Sequence, residues 1–226
     1  MSSVLAFDAS INHGAAVLLD DGKLSRVFFS TDHLTVIKKY GDKDFFICSH
    51  VPNNKNFDAF ERTSARLVHW FSFFRKVINE ANPDYIGIED YAYSASMGSH
   101  QLGEIGGILR IASWLSEKNV RLHDPSTVKM FAAHDGSANK YDIKRAVYTR
   151  WPESVLFKDY IHGKYLVIEE DLCDAFAVAQ LVWLEIQLRN GLVRLRNLHP
   201  KEIQVFNRCT KRYPISLLDR EWSKKQ

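Results

Sequence analysis

"SVLAFDASINHGAAVLLDDGKLSRVFFS", residues 3 to 30, decides the fold. Residues 3 to 8 read as a strand that ends on Asp8, and residues 13 to 20 as a second strand. The Asp-Asp-Gly that follows marks a tight turn, because two residues there must accept positive φ. Residues 23 to 30 then return as a third strand. Three strands in succession with short connections predict an antiparallel meander.

Beyond the meander the pattern changes. Residues 31 to 56 show no period and are expected to be a long loop or insertion, with a short strand at 44 to 48. In residues 57 to 81, Phe57, Phe60, Leu67, Phe71, Phe74, Val77 and Ile78 recur at helical steps, and Asn82-Pro83 stops the helix. "DYIGIED" predicts a buried strand ending at Glu89. Residues 99 to 118 read as a helix weakened by Gly103, Gly106 and Gly107, so a close neighbour is expected against its backbone. "VRLHDPS" is a strand running into a helix capped by Asp124 or Ser126, with Pro125 in its first turn. Helices follow at 126 to 133, 137 to 150 and 170 to 188. The predicted class is α/β: a five-stranded mixed sheet, three meander strands plus parallel strands, flanked by helices. Residues 1 to 188 form the expected domain and 189 to 226 a basic C-terminal extension.

Composition narrows the function. No apolar run reaches the roughly 18 residues of a membrane span, and the N-terminus lacks the features of a signal peptide. Cys48, Cys173 and Cys209 are widely spaced, which predicts free thiols in a reducing compartment and no zinc site. The expected location is cytoplasmic or nucleic-acid-associated. From Arg189 onward ten bases stand against three acids, so this segment carries +7 and the remainder −4 of a net charge of +3. A polyanionic partner is the simplest complement to such a segment.

The acidic residues carry the chemistry. Asp8 and Glu89 each end a strand, and they face one mouth if those strands are neighbours. In "DLCDAFAVAQ" (171 to 180), Asp171 and Asp174 lie one helical turn apart and share a face. They are expected in the first turn of their helix, where the dipole favours negative charge. Singly, each has an ordinary explanation: a turn cap, a lysine pair, an N-terminal helix acid. Four together in one cleft would raise one another's pKa values, and a divalent cation would relieve the repulsion. Oxygen ligands suit Mg2+, with Mn2+ able to substitute. Two ions about 4 Å apart clamp the attacking and leaving oxygens of a phosphodiester. "HDGSANKYDIKRA" places Lys140, Lys144 and Arg145 at a helix start suited to phosphate. Lys129 and Lys140 read as phosphate contacts; for Lys144 and Arg145 a solvated helix face serves equally well.

Five segments, in order, resemble the RuvC family of Holliday-junction resolvases, within the RNase H-like superfamily. "LAFDASINHGAAVL" resembles its first hairpin, with the metal-binding aspartate at Asp8. "PDYIGIEDYAY" resembles its second acidic motif, with Glu89. "LGEIGGILRIA" is similar to its small-residue helix, which implies a homodimer interface; the alternative is a core helix with glycines under a strand. "DPSTVKMFAAHDGSANK" resembles the segment with phosphate-contacting lysines, here Lys129 and Lys140. "DLCDAFAVA" is similar to the closing motif, with Asp171 and Asp174. The resemblance implies an endonuclease with two Mg2+ ions per site that resolves four-way and other branched DNA by paired symmetric nicks, leaving 5′-phosphate and 3′-hydroxyl ends. The family's wedge aromatic falls on Ala92, flanked by Tyr91 and Tyr93, either of which can stack on a base. The insertion and basic tail look like those of viral or organellar members, which would place the protein in a host cytoplasm if viral. Two other readings stay open: a non-catalytic RNase H-like module that binds structured nucleic acid, and a fragment of an actin-like ATPase, whose phosphate loop the first hairpin also resembles. The chain is too short for both halves of the latter.

Overall fold

The computed structural model describes residues 2–10, 12–34, 37–38, 46–90, 99–152 and 166–225. The predicted meander is formed by β1 (Ser3–Ala9), β2 (His13–Asp20) and β3 (Lys23–Thr31), paired antiparallel. Its second turn uses positive φ at Asp21 and Gly22 (47° and 78°). A Cβ on Gly22 would also lie 2.3 Å from the Trp183 indole nitrogen, so only glycine fits there.

Among the described residues the sheet has six strands, not five, in the order β4-β3-β2-β1-β5-β6. The additional member is β4 (Phe46–His50), parallel to β3 at one edge, two residues later than the sequence suggests and inside the stretch read as an insertion. The Ser49 hydroxyl donates to Ser30 Oγ at 2.8 Å, tying β4 to the rim of β3. On the other side of β1 lie β5 (Tyr85–Glu89) and β6 (Asn119–His123), both parallel.

Strand alternation divides the interior into two cores. Leu5, Phe7, Ala16, Leu18, Phe28, Ile86 and Ile88 face α1 (Ala59–Ala81) and α2 (Ser99–Trp114). Val4, Ala6, Ala15, Val17, Leu19 and Phe29 face α3 (Pro125–Ala133), α4 (Lys140–Arg150) and α5 (Leu166–Arg189). From Asp171 to Val182 the α5 side chains are nearly all buried, the pattern of a helix enclosed on every side.

Four helix expectations need correction. First, α1 starts at Ala59 after a capping box between Asp58 and Glu61, and its buried face is Trp70, Phe73, Phe74, Val77 and Ile78. Phe60 and Phe71 lie on the solvent side, the former 79% exposed. The helix carries two overlapping aromatic sets, and the sheet takes the one that includes Trp70. Second, α2 ends at Trp114 rather than 118, and a Cβ on Gly103 or Gly107 would meet open space. Those two glycines are not tucked under a strand. Third, α4 starts at Lys140, capped by Asn139 and Asp142, so residues 137–139 lie before it. Fourth, α5 starts at Leu166, so Asp171 and Asp174 lie beyond its first turn and the dipole argument does not apply to them.

The basic C-terminal segment packs onto the domain. Leu195, Leu198, Val205, Phe206, Leu217, Leu218 and Trp222 join the α5-side core, several of them around α6 (Pro200–Asn207). Val120 of β6 and Ser223 exchange both backbone hydrogen bonds, at 2.7 and 3.2 Å, which covers the sheet edge. Arg121 and Glu185, both buried, pair at 2.6 Å, and the same guanidinium donates to the carbonyls of Arg220 and Glu221. Among the described residues no helix is long and apolar enough to cross a membrane.

Candidate active site

The parallel register of β1 and β5 pairs Phe7 with Ile88, and the next residues along are Asp8 and Glu89. Both continue the alternation that faces α5, so both carboxylates stand at the carboxyl ends of neighbouring strands, under the same helix. That helix lies close to the sheet because β5 has Gly87 beneath it: a Cβ there would sit 2.9 Å from Val178 Cγ1 and 3.0 Å from Val182 Cγ2. One turn before Val178, α5 presents Asp174, and a turn before that Asp171.

The four carboxylates feel one another. Burial raises the Asp8 pKa well above its ordinary value, and the charges of Asp171, Asp174 and Glu89 raise it further, against Lys140. Glu89 is pushed up to about 8 by burial and by Asp174 and Asp124, while Lys129 and Lys140 pull it down. Asp174 is lifted to about 6 by burial, with Asp171 and Glu170 adding to it and Lys140 and Lys129 opposing. Asp171 is also raised by burial, restrained by a hydrogen bond from His13 and by Lys140. Each carboxylate therefore gains from additional positive charge nearby.

Lys140 heads α4, with Nζ 3.2 Å from Glu170. Burial disfavours its charge, but Asp171, Glu170 and Asp174 outweigh that and its pKa is raised. Lys129 of α3 acts electrostatically on Glu89 and Asp174. Lys144 lies one turn further along α4, half-buried. Tyr91 and Tyr93 fall outside the described residues, so neither is placed relative to the site.

Sequence reasoning missed three contributors. His13, at the start of β2, has Nδ1 2.5 Å from Asp171 Oδ2. Its signal was the alternation that puts position 13 on the α5 face with Ala15 and Val17. Asp124 caps α3, holds Thr127 and Ser126, and adds negative charge near Glu89. Asp90, buried beside Glu89, is bound by Arg110, by Arg212 at 2.6 Å and by the Tyr213 hydroxyl at 2.7 Å. Cations of the basic segment, among them Arg189 (to Glu185, 2.9 Å), Arg208, Arg212 and Lys225, are thus paired within the fold.

Among the described residues no three His, Cys, Asp or Glu side chains are close enough to hold a metal ion as they stand. Asp8, Glu89, Asp171 and Asp174 act on one another's charges without forming such a cluster. Their chemistry fits a cation: an all-oxygen set, with every pKa raised, suits a hard divalent ion.

No protein-family model matches the sequence, and no curated protein matches it significantly. Solved structures do share the fold. A Thermus thermophilus RuvC structure aligns over 84% of this chain and 96% of its own, with 16% identity and a TM-score of 0.51. T. thermophilus RuvC in complex with Holliday junction substrate aligns over 84% and 97%, with 14% identity and a TM-score of 0.55. The likeness to RuvC carried by the five motifs thus extends to the architecture, and the fold class is RNase H-like.

Proposed function

We propose that this chain is a metal-dependent endonuclease that cuts branched DNA, above all four-way junctions. The observation that carries the reading is the meeting of Asp8, Glu89, Asp171 and Asp174. They come from three separate elements to one end of the sheet, where burial raises all their pKa values and the charges of the others raise Asp8, Glu89 and Asp174 further. A protein that merely needed stability would not gather four acids under a buried helix.

Asp8, Glu89, Asp171 and Asp174 would hold two Mg2+ ions, or Mn2+ in their place. Such ions would supply an activated water and charge stabilisation for the leaving 3′ oxygen, with 5′-phosphate and 3′-hydroxyl products. The chain's own residues do the rest. β1, β5 and α5 fix the acids on a rigid scaffold. Lys129 and Lys140, whose charges act on the same acids, would meet an incoming phosphate. Junction binding should weaken steeply with salt, as phosphate contacts by lysine and arginine do.

The substrate class is supported by the fold, which is shared with a RuvC bound to Holliday junction substrate. A four-way junction has near two-fold symmetry, so two copies of the chain would make paired nicks. The outer face of α2 is our choice for that contact: Gly103 and Gly107 are open there, and Ile111, Trp114 and Leu115 are exposed. Nicking of synthetic four-way, three-way and linear DNA in Mg2+ tests the proposal. Symmetric nicks in the four-way junction are expected. Binding without cutting would favour a non-catalytic module, and equal cutting of linear duplex would remove junction selectivity.

A further inference from the structure

We infer that His13 is a positioning residue that holds Asp171 as a one-oxygen ligand, an inference that rests on the cation-binding reading above. His13 stands at the start of β2, opposite Ser10 across the hairpin, and bridges to Asp171 on α5. It ties the first hairpin, whose β1 strand carries Asp8, to α5, which carries Asp171 and Asp174.

The direction of the hydrogen bond follows from its neighbour. Ser10 Oγ donates to the His13 carbonyl at 2.8 Å and lies 3.1 Å from His13 Nδ1. A hydroxyl has one hydrogen. With that hydrogen on the carbonyl, Ser10 Oγ can face Nδ1 only as an acceptor. The hydrogen is therefore on Nδ1, and Asp171 Oδ2 accepts it at 2.5 Å. This occupies one oxygen of Asp171 and leaves Oδ1 for a cation. It also fixes the orientation of that carboxylate. Partners of this kind orient a ligand without touching the ion, and their loss typically weakens metal binding about 10–100-fold.

The test is Mn2+ binding to the DNA-free protein, followed by the electron paramagnetic resonance of the free ion. His13→Ala should weaken binding about tenfold or more. His13→Asn, whose amide can donate from nearly the same place, should restore most of it. Asp174→Asn serves as the reference. Should His13→Ala bind Mn2+ like wild type while Asp174→Asn does not, the role of His13 is overturned and the cation site stands. Failure of His13→Asn to restore binding also overturns it, because bulk rather than the hydrogen bond would then matter. If wild type itself takes up no Mn2+, the proposed function falls, and this inference with it.

Discussion

Gly87 of β5 lies directly beneath Val178 of α5, so close that a methyl group on residue 87 would be 2.9 Å from Val178 Cγ1. Valine is stiff at χ1 and cannot swing aside. Relief would have to come from moving α5 away from the sheet. Gly87→Ala is therefore expected to cost about 1–3 kcal/mol of stability, as overpacking usually does. Because α5 also carries Asp174 and Asp171, junction cleavage should fall by more than the stability loss explains. Urea unfolding and single-turnover cleavage on the same preparation check both parts. A variant with native stability and rate would mean that the helix is not held by this contact.

The pair Arg121–Glu185 fastens the C-terminal segment. Glu185 accepts from Arg121 at 2.6 and 3.2 Å and from Arg189 at 2.9 Å, and Arg121 lies 4.3 Å below the Trp222 ring. Glu185→Ala would leave a buried guanidinium without its carboxylate, at a cost of about 3–5 kcal/mol. Removing residues 208 to 226 should do comparable damage, since it strips Leu217 and Trp222 from the core and uncovers β6. Thermal melting of both variants is the measurement. If the truncated chain melts like wild type, the segment is an appendage after all.

Stability should depend on pH in a way that Mg2+ alters. Burial lifts Glu89 from 4.5 to about 8, and Asp174 from 3.8 to about 6. Each binds its proton more tightly folded than unfolded. Their protonated forms therefore favour folding at low pH, and the contribution is lost as pH rises through the folded values. Metal-free protein should melt at progressively lower temperature between about pH 5 and pH 8. Added Mg2+ should raise the melting temperature more at pH 8 than at pH 6. Equal Mg2+ effects at both values would contradict the reading.

The meander was legible because alternation and the Asp-Asp-Gly turn are local signals. The pairing of Asp8 with Glu89 was legible only conditionally: each visibly ends a strand, but neighbourhood is a long-range property. β4 was legible only as a short strand in a stretch without a period, because its place in the sheet depends on the edge of β3. The start of α5 was missed because the apolar pattern there begins before any cap residue, so Asp171 and Asp174 seemed nearer the end of the helix than they are. His13 is one histidine in a polar turn until α5 is laid over it. In the C-terminal segment the charge count drew attention from Val205, Phe206, Leu217 and Trp222, which anchor it.

The central claim is that Asp8, Glu89, Asp171 and Asp174 act together on a phosphodiester. Glu89→Gln and Asp174→Asn test it most directly, assayed for junction binding and for nicking of a synthetic four-way junction in Mg2+. Both variants should bind the junction as wild type does and leave no detectable nicks. Cleavage at the wild-type rate by either would remove that residue from the site and contradict the account.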